Sequence, residues 1–190
     1  MKLRNRLMTL AFALCAVSSA AFAMNVAILD ELGFEKGGAA WKSWGDGDIK
    51  DEYYGVKPHE GSFFLRLWSR SGWYQDFSTK QGNTYSISAY VASAKTDALW
   101  GDAFAELKVE WRNRTDGDVE VGQATSVKFD LVGKAGTTIA VDQWTKIALA
   151  LAKAPPNATH GRVLLTIWTD GGQKGGGCAL FDDVGILQTP

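Results

Sequence analysis

Along most of this chain apolar and polar residues alternate with a period of two, the spacing of a strand that buries one face. Over residues 85–92, Tyr85, Ile87, Ala89 and Val91 fall on one side and Ser86, Ser88 and Tyr90 on the other. Residues 105–112 alternate more sharply: Leu107, Val109 and Trp111 point one way, Glu106, Lys108, Glu110 and Arg112 the other. Residues 162–168 set Val163, Leu165 and Ile167 against Leu164, Thr166 and Trp168. Further strands are predicted at 25–29, 62–68, 73–77, 127–131, 144–151 and 180–187. Clusters rich in Gly and Asp at 45–48, 115–118, 135–136 and 171–172 read as the turns between them. No long window carries a helical period. The expectation is an all-β fold, a two-sheet antiparallel β-sandwich with jelly-roll topology.

The first 23 residues depart from this pattern. Lys2, Arg4 and Arg6 precede an apolar run from Leu7 to Val17, and Ala21-Phe-Ala23 puts small residues where a signal peptidase reads. The run is too short to cross a bilayer, and no later stretch approaches the roughly 20 apolar residues a spanning helix needs. Cys15 follows Leu14, whereas lipidation wants a small residue there. The expectation is a signal peptide over 1–23 cleaved after Ala23, and a secreted or periplasmic product in which 24–190 form a single domain.

Charge then changes little. The chain has 20 Lys+Arg against 21 Asp+Glu, and loss of the three N-terminal basic residues moves the balance to −4. A mildly acidic chain without a basic stripe argues against nucleic acid as a partner. Once Cys15 is gone, Cys178 has no partner for a disulfide within the chain, so the core must hold the fold, with or without a metal. The 21 Gly and 8 Trp suit short strands, tight turns and aromatic surfaces.

Several ordered pieces then carry a resemblance. They are Leu32-Gly-Phe-Glu35 followed by Trp41 and Trp44, then His59-Glu-Gly-Ser-Phe-Phe-Leu65 and Trp73-Tyr-Gln-Asp-Phe77. Gly82-Asn-Thr-Tyr-Ser-Ile-Ser-Ala-Tyr-Val91, Gln143-Trp-Thr-Lys146 and the closing Leu180-Phe-Asp-Asp-Val-Gly-Ile-Leu187 complete the set. In this order the chain resembles secreted carbohydrate-binding modules of the xylan- and glucan-binding type, the families grouped as four, nine and twenty-two. The resemblance implies a galactose-binding-like jelly roll, a concave sugar-binding face and often a structural calcium. It also implies that Trp73, Gln75 and Asp76 lie where a binding aromatic and its polar neighbours belong. Such modules usually sit beside a hydrolase, whereas residues 24–190 are expected to hold no catalytic domain.

Sugar recognition needs flat rings for the apolar faces of pyranoses and planar polar groups for paired hydroxyls. Beside Trp73, Gln75 and Asp76, the outward phase of their strands nominates Tyr90, Glu110, Arg112 and Trp168. Trp111 shares its phase with Leu107 and Val109 and reads as core; Trp41, Trp44, Trp68, Trp100 and Trp144 read as core or loop packing. For calcium, which takes hard oxygen ligands, Glu35 would meet Asp182 and Asp183 if the first and last strands pair. The resemblance adds the Gly33 carbonyl and a ligand near 57–60, for which Glu60 is chosen. Strand alternation admits one of the two aspartates, and Asp183 is the choice.

No catalytic residue is nominated. Glu106-Leu-Lys-Val-Glu110 lacks the middle aspartate of a retaining jelly-roll glycosidase, and no nucleophile elbow, zinc spacing or phosphate loop appears. The expected function is non-catalytic binding of a polysaccharide or glycan. A separate secreted glycan-active enzyme or an envelope component would be a further partner. The alternatives are an envelope or matrix module that is structural or binds protein, and a glycan-active enzyme on the same fold.

Overall fold

The computed structural model describes residues 28–169 and 174–189, without the side chains of 150 and 151. The expected signal peptide, the expected strand over most of 25–29 and the turn at 171–172 lie outside the described residues. The described residues form twelve strands: β1 (Lys42–Lys50), β2 (Phe64–Ser78), β3 (Thr84–Ala92), β4 (Trp100–Gly101), β5 (Phe104–Asn113), β6 (Val119–Glu120), β7 (Thr125–Asp130), β8 (Thr137–Thr138), β9 (Thr145–Lys153), β10 (His160–Trp168), β11 (Gly175–Gly176) and β12 (Cys178–Thr189). The described residues contain no α-helix, only 3-10 turns at Lys95–Asp97 and Arg114–Asp116.

The strand order β8-β7-β5-β10-β2-β12-β3-β9 is continuous because β2 belongs to both layers. Its C-terminal half pairs with β10, Ser71 opposite Ile167 to Ser78 opposite His160, while its N-terminal half pairs with β12, Leu65 opposite Phe181 to Trp68 opposite Cys178. The sheet folds over at β2, so that rings from opposite layers meet: Phe129 of β7 lies 5.7 Å from Phe181 of β12, and Trp111 of β5 lies 5.6 Å from Tyr85 of β3. The two-sheet jelly-roll sandwich is therefore present, closed along one edge.

β1 follows β2 around that edge and departs from the sequence reading. Gly45-Asp-Gly-Asp48 is not a turn but the middle of a strand with a bulge between Trp44 and Asp46. Gly45 has φ +70 there, and a Cβ on it would sit 2.5 Å from the Arg70 carbonyl oxygen, so the corner requires glycine. The strands expected at 62–68 and 73–77 are one long strand for the same reason: β2 bends at Ser69, with φ +61, and continues.

The core lies between the layers. β5 sends in Ala105, Leu107, Val109 and Trp111, β10 sends in Val163, Leu165 and Ile167, and β3 sends in Tyr85, Ile87, Ala89 and Val91, all buried. A second apolar cluster forms outside the β2–β12–β3 layer. There Phe64, Ala92, Cys178 and Leu180, outward by phase, are buried beneath Val56 and Ala94. The segment 51–63 roofs this face, pinned by the Trp144 indole N–H donating to the Lys57 carbonyl at 2.8 Å and the Tyr53 hydroxyl donating to Asp97 at 2.8 Å. Burial raises the Cys178 thiol to about 12, which fits a packing role.

Candidate functional site

Among the described residues, the outer face of the other layer carries no such roof. Its side chains follow from register: strands β1, β2, β10, β5 and β7 lie side by side, and each cross-strand row presents one residue per strand. One row reads Lys42, Tyr74, Leu164, Lys108, Ser126, and the next reads Trp44, Gly72, Thr166, Glu106, Lys128. Beyond them Trp168 stands opposite Phe104, with the Arg70 guanidinium 5.4 Å from the Trp168 ring centre. On the other side come Asp76, Arg162, Glu110 and then Ser78, His160, Arg112. The face has two ends, one aromatic and one ionic.

At the aromatic end Trp44 and Trp168 are 38% and 36% exposed, with Tyr74 and Phe104 half-buried between and beside them. Trp44 lies on the backbone of Gly72, where a Cβ would come within 2.2 Å of its ring. Its centre is 6.1 Å from that of Tyr74. The Trp168 indole N–H donates to Glu106 at 3.3 Å, which fixes the ring's orientation. With rows about 7 Å apart along a strand and strands about 4.8 Å apart, Tyr74 and Phe104 are separated by about 16 Å. That is the reach of a short oligosaccharide.

The ionic end is held by its own pairs. Asp76 accepts from Arg162 at 2.6 and 3.1 Å and from Arg114 at 3.3 Å. Burial would raise its carboxyl, but the Arg162 hydrogen bonds and charge outweigh burial and hold it below the ordinary carboxylate value. Glu110 is clamped between Lys108 at 2.7 Å and Arg112 at 2.8 Å. His160 is 3% exposed in its side chain, and burial lowers its pKa.

The structure divides the residues nominated from sequence. Trp168 stands open on the face. Asp76, Glu110 and Arg112 share that face but are engaged with one another's neighbours. Trp73 is corrected: it is 9% exposed, part of the main core, with its ring packed on Gly38 and 6.3 Å from Phe34. Gln75 is corrected too, being buried and bonded both ways to the Asp30 backbone, accepting at 2.6 Å and donating at 2.8 Å. Both share the inward phase of Phe77, whereas Tyr74 and Asp76 point out. Tyr90 points outward on the opposite layer, where His59 stacks on it with ring centres 3.5 Å apart. Sequence reasoning missed Tyr74, Phe104, Arg70 and Trp44. Phase alone would have found Tyr74, as the neighbour of an inward Trp73.

The nominated metal residues do converge, with two changes. Asp183 (φ +46) sits in a bulge of β12 between Asp182 and Gly185, which breaks alternation and brings both aspartates beside Gly33. Asp182 is fully buried; burial first and the Asp183 charge second push its carboxyl up to about 7. It accepts backbone N–H bonds from His59 and Asp183, each at 2.9 Å. His59, absent from the sequence-based set, places Nδ1 2.6 Å from Asp183, and His59, Glu60 and Asp183 bring ligand atoms within 4.8 Å of one another. Glu35 lies nearby, but its carboxylate accepts the Ser62 and Phe63 amides at 2.9 to 3.1 Å and so holds the roof segment. The carboxylates of Asp182 and Asp183 beside Gly33, with Glu60 close to Asp183, are a donor set that a divalent cation fits.

No protein-family model matches the chain, and no curated protein matches it in sequence. Solved structures do. A carbohydrate-binding module of family 61 in complex with β-1,4-galactotriose is 16% identical with a TM-score of 0.61, over 86% of this chain and 99% of that one. The family 22 xylan-binding domain of a xylanase from Paenibacillus barcinonensis is 19% identical with a TM-score of 0.53, over 86% and 95%. A Stig cyclase from Fischerella sp. TAU, solved with a pyrrolidinylidene-indole, is 13% identical with a TM-score of 0.62, over 87% and 98%. The chain has the jelly-roll fold of carbohydrate-binding modules, a fold that enzymes share.

Proposed function

We propose that this protein is a non-catalytic glycan-binding module whose platform is the open face of the β1–β2–β10–β5–β7 layer. The observation that carries the reading is the strip formed by exposed Trp44 and Trp168 with half-buried Tyr74 and Phe104, built on a sheet with Gly72 cleared beneath one ring. Rings laid on strands need little reordering to stack on pyranoses, and the neighbouring Glu106, Arg70 and Lys128 supply polar contacts. The carboxylates of the face support binding over catalysis. A general acid needs a raised pKa near the working pH, and Asp76 is held low while Glu110 is clamped between two cations. Action outside the cytoplasmic membrane, beside a separate glycan-active enzyme or envelope component, belongs to the same proposal. No described helix is long and apolar enough to cross a membrane.

The reading includes a structural calcium near Gly33, with Asp182, Asp183 and Glu60 as ligands. Bound there, the cation would supply charge neutralisation between facing carboxylates and tie the roof segment to the last strand.

The test is affinity electrophoresis against soluble galactans, xylans, glucans and uronate polymers, followed by reducing-end assays on the same panel. Retardation by at least one glycan without product release is expected. Trp168→Ala should weaken that binding by about tenfold or more, a loss on the order of 1–3 kcal/mol, with the melting temperature nearly unchanged. Product release, or full affinity in both Trp168→Ala and Trp44→Ala, would overturn the assignment.

A further inference from the structure

Three cations on the open face have no carboxylate within ion-pair distance among the described residues. Lys42 lies 5.9 Å from the centre of the Tyr74 ring, Arg70 5.4 Å from Trp168, and Lys128 4.8 Å from Phe104. All three side chains are exposed. Elsewhere on the same face the cations are matched: Arg162 with Asp76, Lys108 and Arg112 with Glu110, Lys134 with Asp102, and Arg114 with Asp76. The acid nearest the strip is Glu106, the register neighbour of Lys128; it is buried and takes the Trp168 indole N–H. Asp130, which lines the same cleft as Lys128, has both carboxylate oxygens taken up by the amides of Val132, Gly133 and Ala135.

The arrangement repeats. Each unmatched cation is centred within 6 Å of one ring of the aromatic strip, so a sugar stacked on that ring brings its substituents to the cation. The strip also ends in two clefts. One, of about 290 Å³, has Lys42, Arg114, Asp30 and Asp76 beside Tyr74, and the other, of about 320 Å³, has Lys128, Lys134, Asp102 and Asp130 beside Phe104. A neutral polysaccharide would leave these positive charges without partners, in a chain that carries more acidic than basic residues overall.

We infer that the glycan of this face is anionic: a polysaccharide whose pyranose rings bear carboxylate or sulfate groups, the rings stacking on Tyr74, Trp168 and Phe104 while Lys42, Arg70 and Lys128 take the charges. The inference rests on the glycan-binding reading above and names its ligand class. It separates from that reading because charge can be removed from a polymer without changing its backbone.

The experiment pairs polygalacturonate with its fully methyl-esterified form, and a sulfated galactan with the same galactan desulfated, measured by isothermal titration at low and high salt. The charged member of at least one pair should bind about tenfold or more tightly at low salt, and the gap should close in high salt as the exposed pairs are screened. Preference within the first pair identifies a carboxylate ligand, and preference within the second a sulfate. The triple variant Lys42→Gln/Arg70→Gln/Lys128→Gln should bind the charged and neutral members alike and melt as the parent does. Equal binding of charged and neutral members overturns the inference while leaving the glycan reading in place. Binding of neither member of either pair, alongside retardation by a neutral xylan or glucan, does the same. No retardation by any polymer overturns both. A triple variant that keeps its preference removes these three residues from the account.

Discussion

The two outer faces of this sandwich begin from the same alternation and end in opposite states. On the β2–β12–β3 layer, outward Phe64, Leu180 and Cys178 are fully buried under the segment 51–63, and outward Tyr90 is stacked on His59. On the β2–β10–β5 layer, outward Trp168 and its neighbour Trp44 stay more than a third exposed. β2 contributes to both, Phe64 and Arg66 to one and Tyr74 and Asp76 to the other. Phase decides whether a side chain leaves the central core. What crosses above it decides whether it becomes a second core or a surface for a ligand.

The sharpest way to break this comparison is to truncate one outward ring on each face. Phe64→Ala empties a site with no solvent access, flanked by Trp144 at 5.7 Å, and should cost about 3–5 kcal/mol of stability. Tyr74→Ala on the open face should cost far less stability and weaken glycan binding. Urea unfolding of the two variants checks this. Comparable stability losses would mean that the roof is not packed or the strip is not open.

Much of the fold was legible because alternation survives burial. The inward sets of β3, β5 and β10 are those that the sequence pattern picks out, residue for residue. What was not legible came from glycine and from adjacency. Gly45-Asp-Gly-Asp48 has turn composition, yet here the positive φ of Gly45 bends a strand around a corner, so β1 and its Trp44 went unseen. Trp73, Gln75 and Asp76 were grouped by motif, although neighbours on a strand face opposite ways: Trp73 and Gln75 turn inward and Asp76 outward. The carboxylates nominated for calcium do lie close together, but the bulge at Asp183 cancels the alternation that excluded Asp182, and His59 reaches them only because the roof segment crosses there. Roofs come from loops, and loops carry no period.

The second test concerns what holds the roof. If calcium bridges Asp182, Asp183 and Glu60, it stabilises the folded chain by about 2.7 kcal/mol at a hundredfold excess over its Kd, because the unfolded chain cannot assemble the site. Chelator should lower the melting temperature and speed proteolysis within 51–63, with affinity at the open face little changed. An Asp183→Asn variant should lose the calcium response. Superimposed melting curves in calcium and chelator would remove the metal and leave the roof to Glu35 and its own packing.

The smallest expected effect sharpens the division within the open face, between its aromatic and ionic ends. His160 sits at the ionic end with Nδ1 3.2 Å from the Thr159 hydroxyl and Nε2 3.1 Å from Asp118 and 3.8 Å from Asp76; Arg162 and Arg114 stand behind those carboxylates. Burial lowers the imidazole's pKa most; Asp76 and Asp118 pull it up, and the two arginines push it down. The folded chain therefore prefers the neutral ring more than the unfolded chain does. Its stabilising share is complete above the unfolded value near 6.5 and is lost as pH falls from there through the lower folded value. One proton limits that slope to about 1.4 kcal/mol per pH unit. Asp76, held low by Arg162, acts in a separate and more acidic window, below the ordinary carboxylate value of 3.8. Asp182, whose carboxyl is pushed up to about 7, works the other way in the same window but equally in both proteins, so between pH 7.5 and 4.5 the unfolding free energy of the parent should fall relative to that of His160→Gln. Glycan affinity in the parent should not follow the His160 titration, since Trp44, Trp168 and Phe104 of the proposed platform lie at the other end of the face. An affinity that tracks the imidazole, and loses its pH dependence in His160→Gln, would extend the binding surface into the ionic end and dissolve the division.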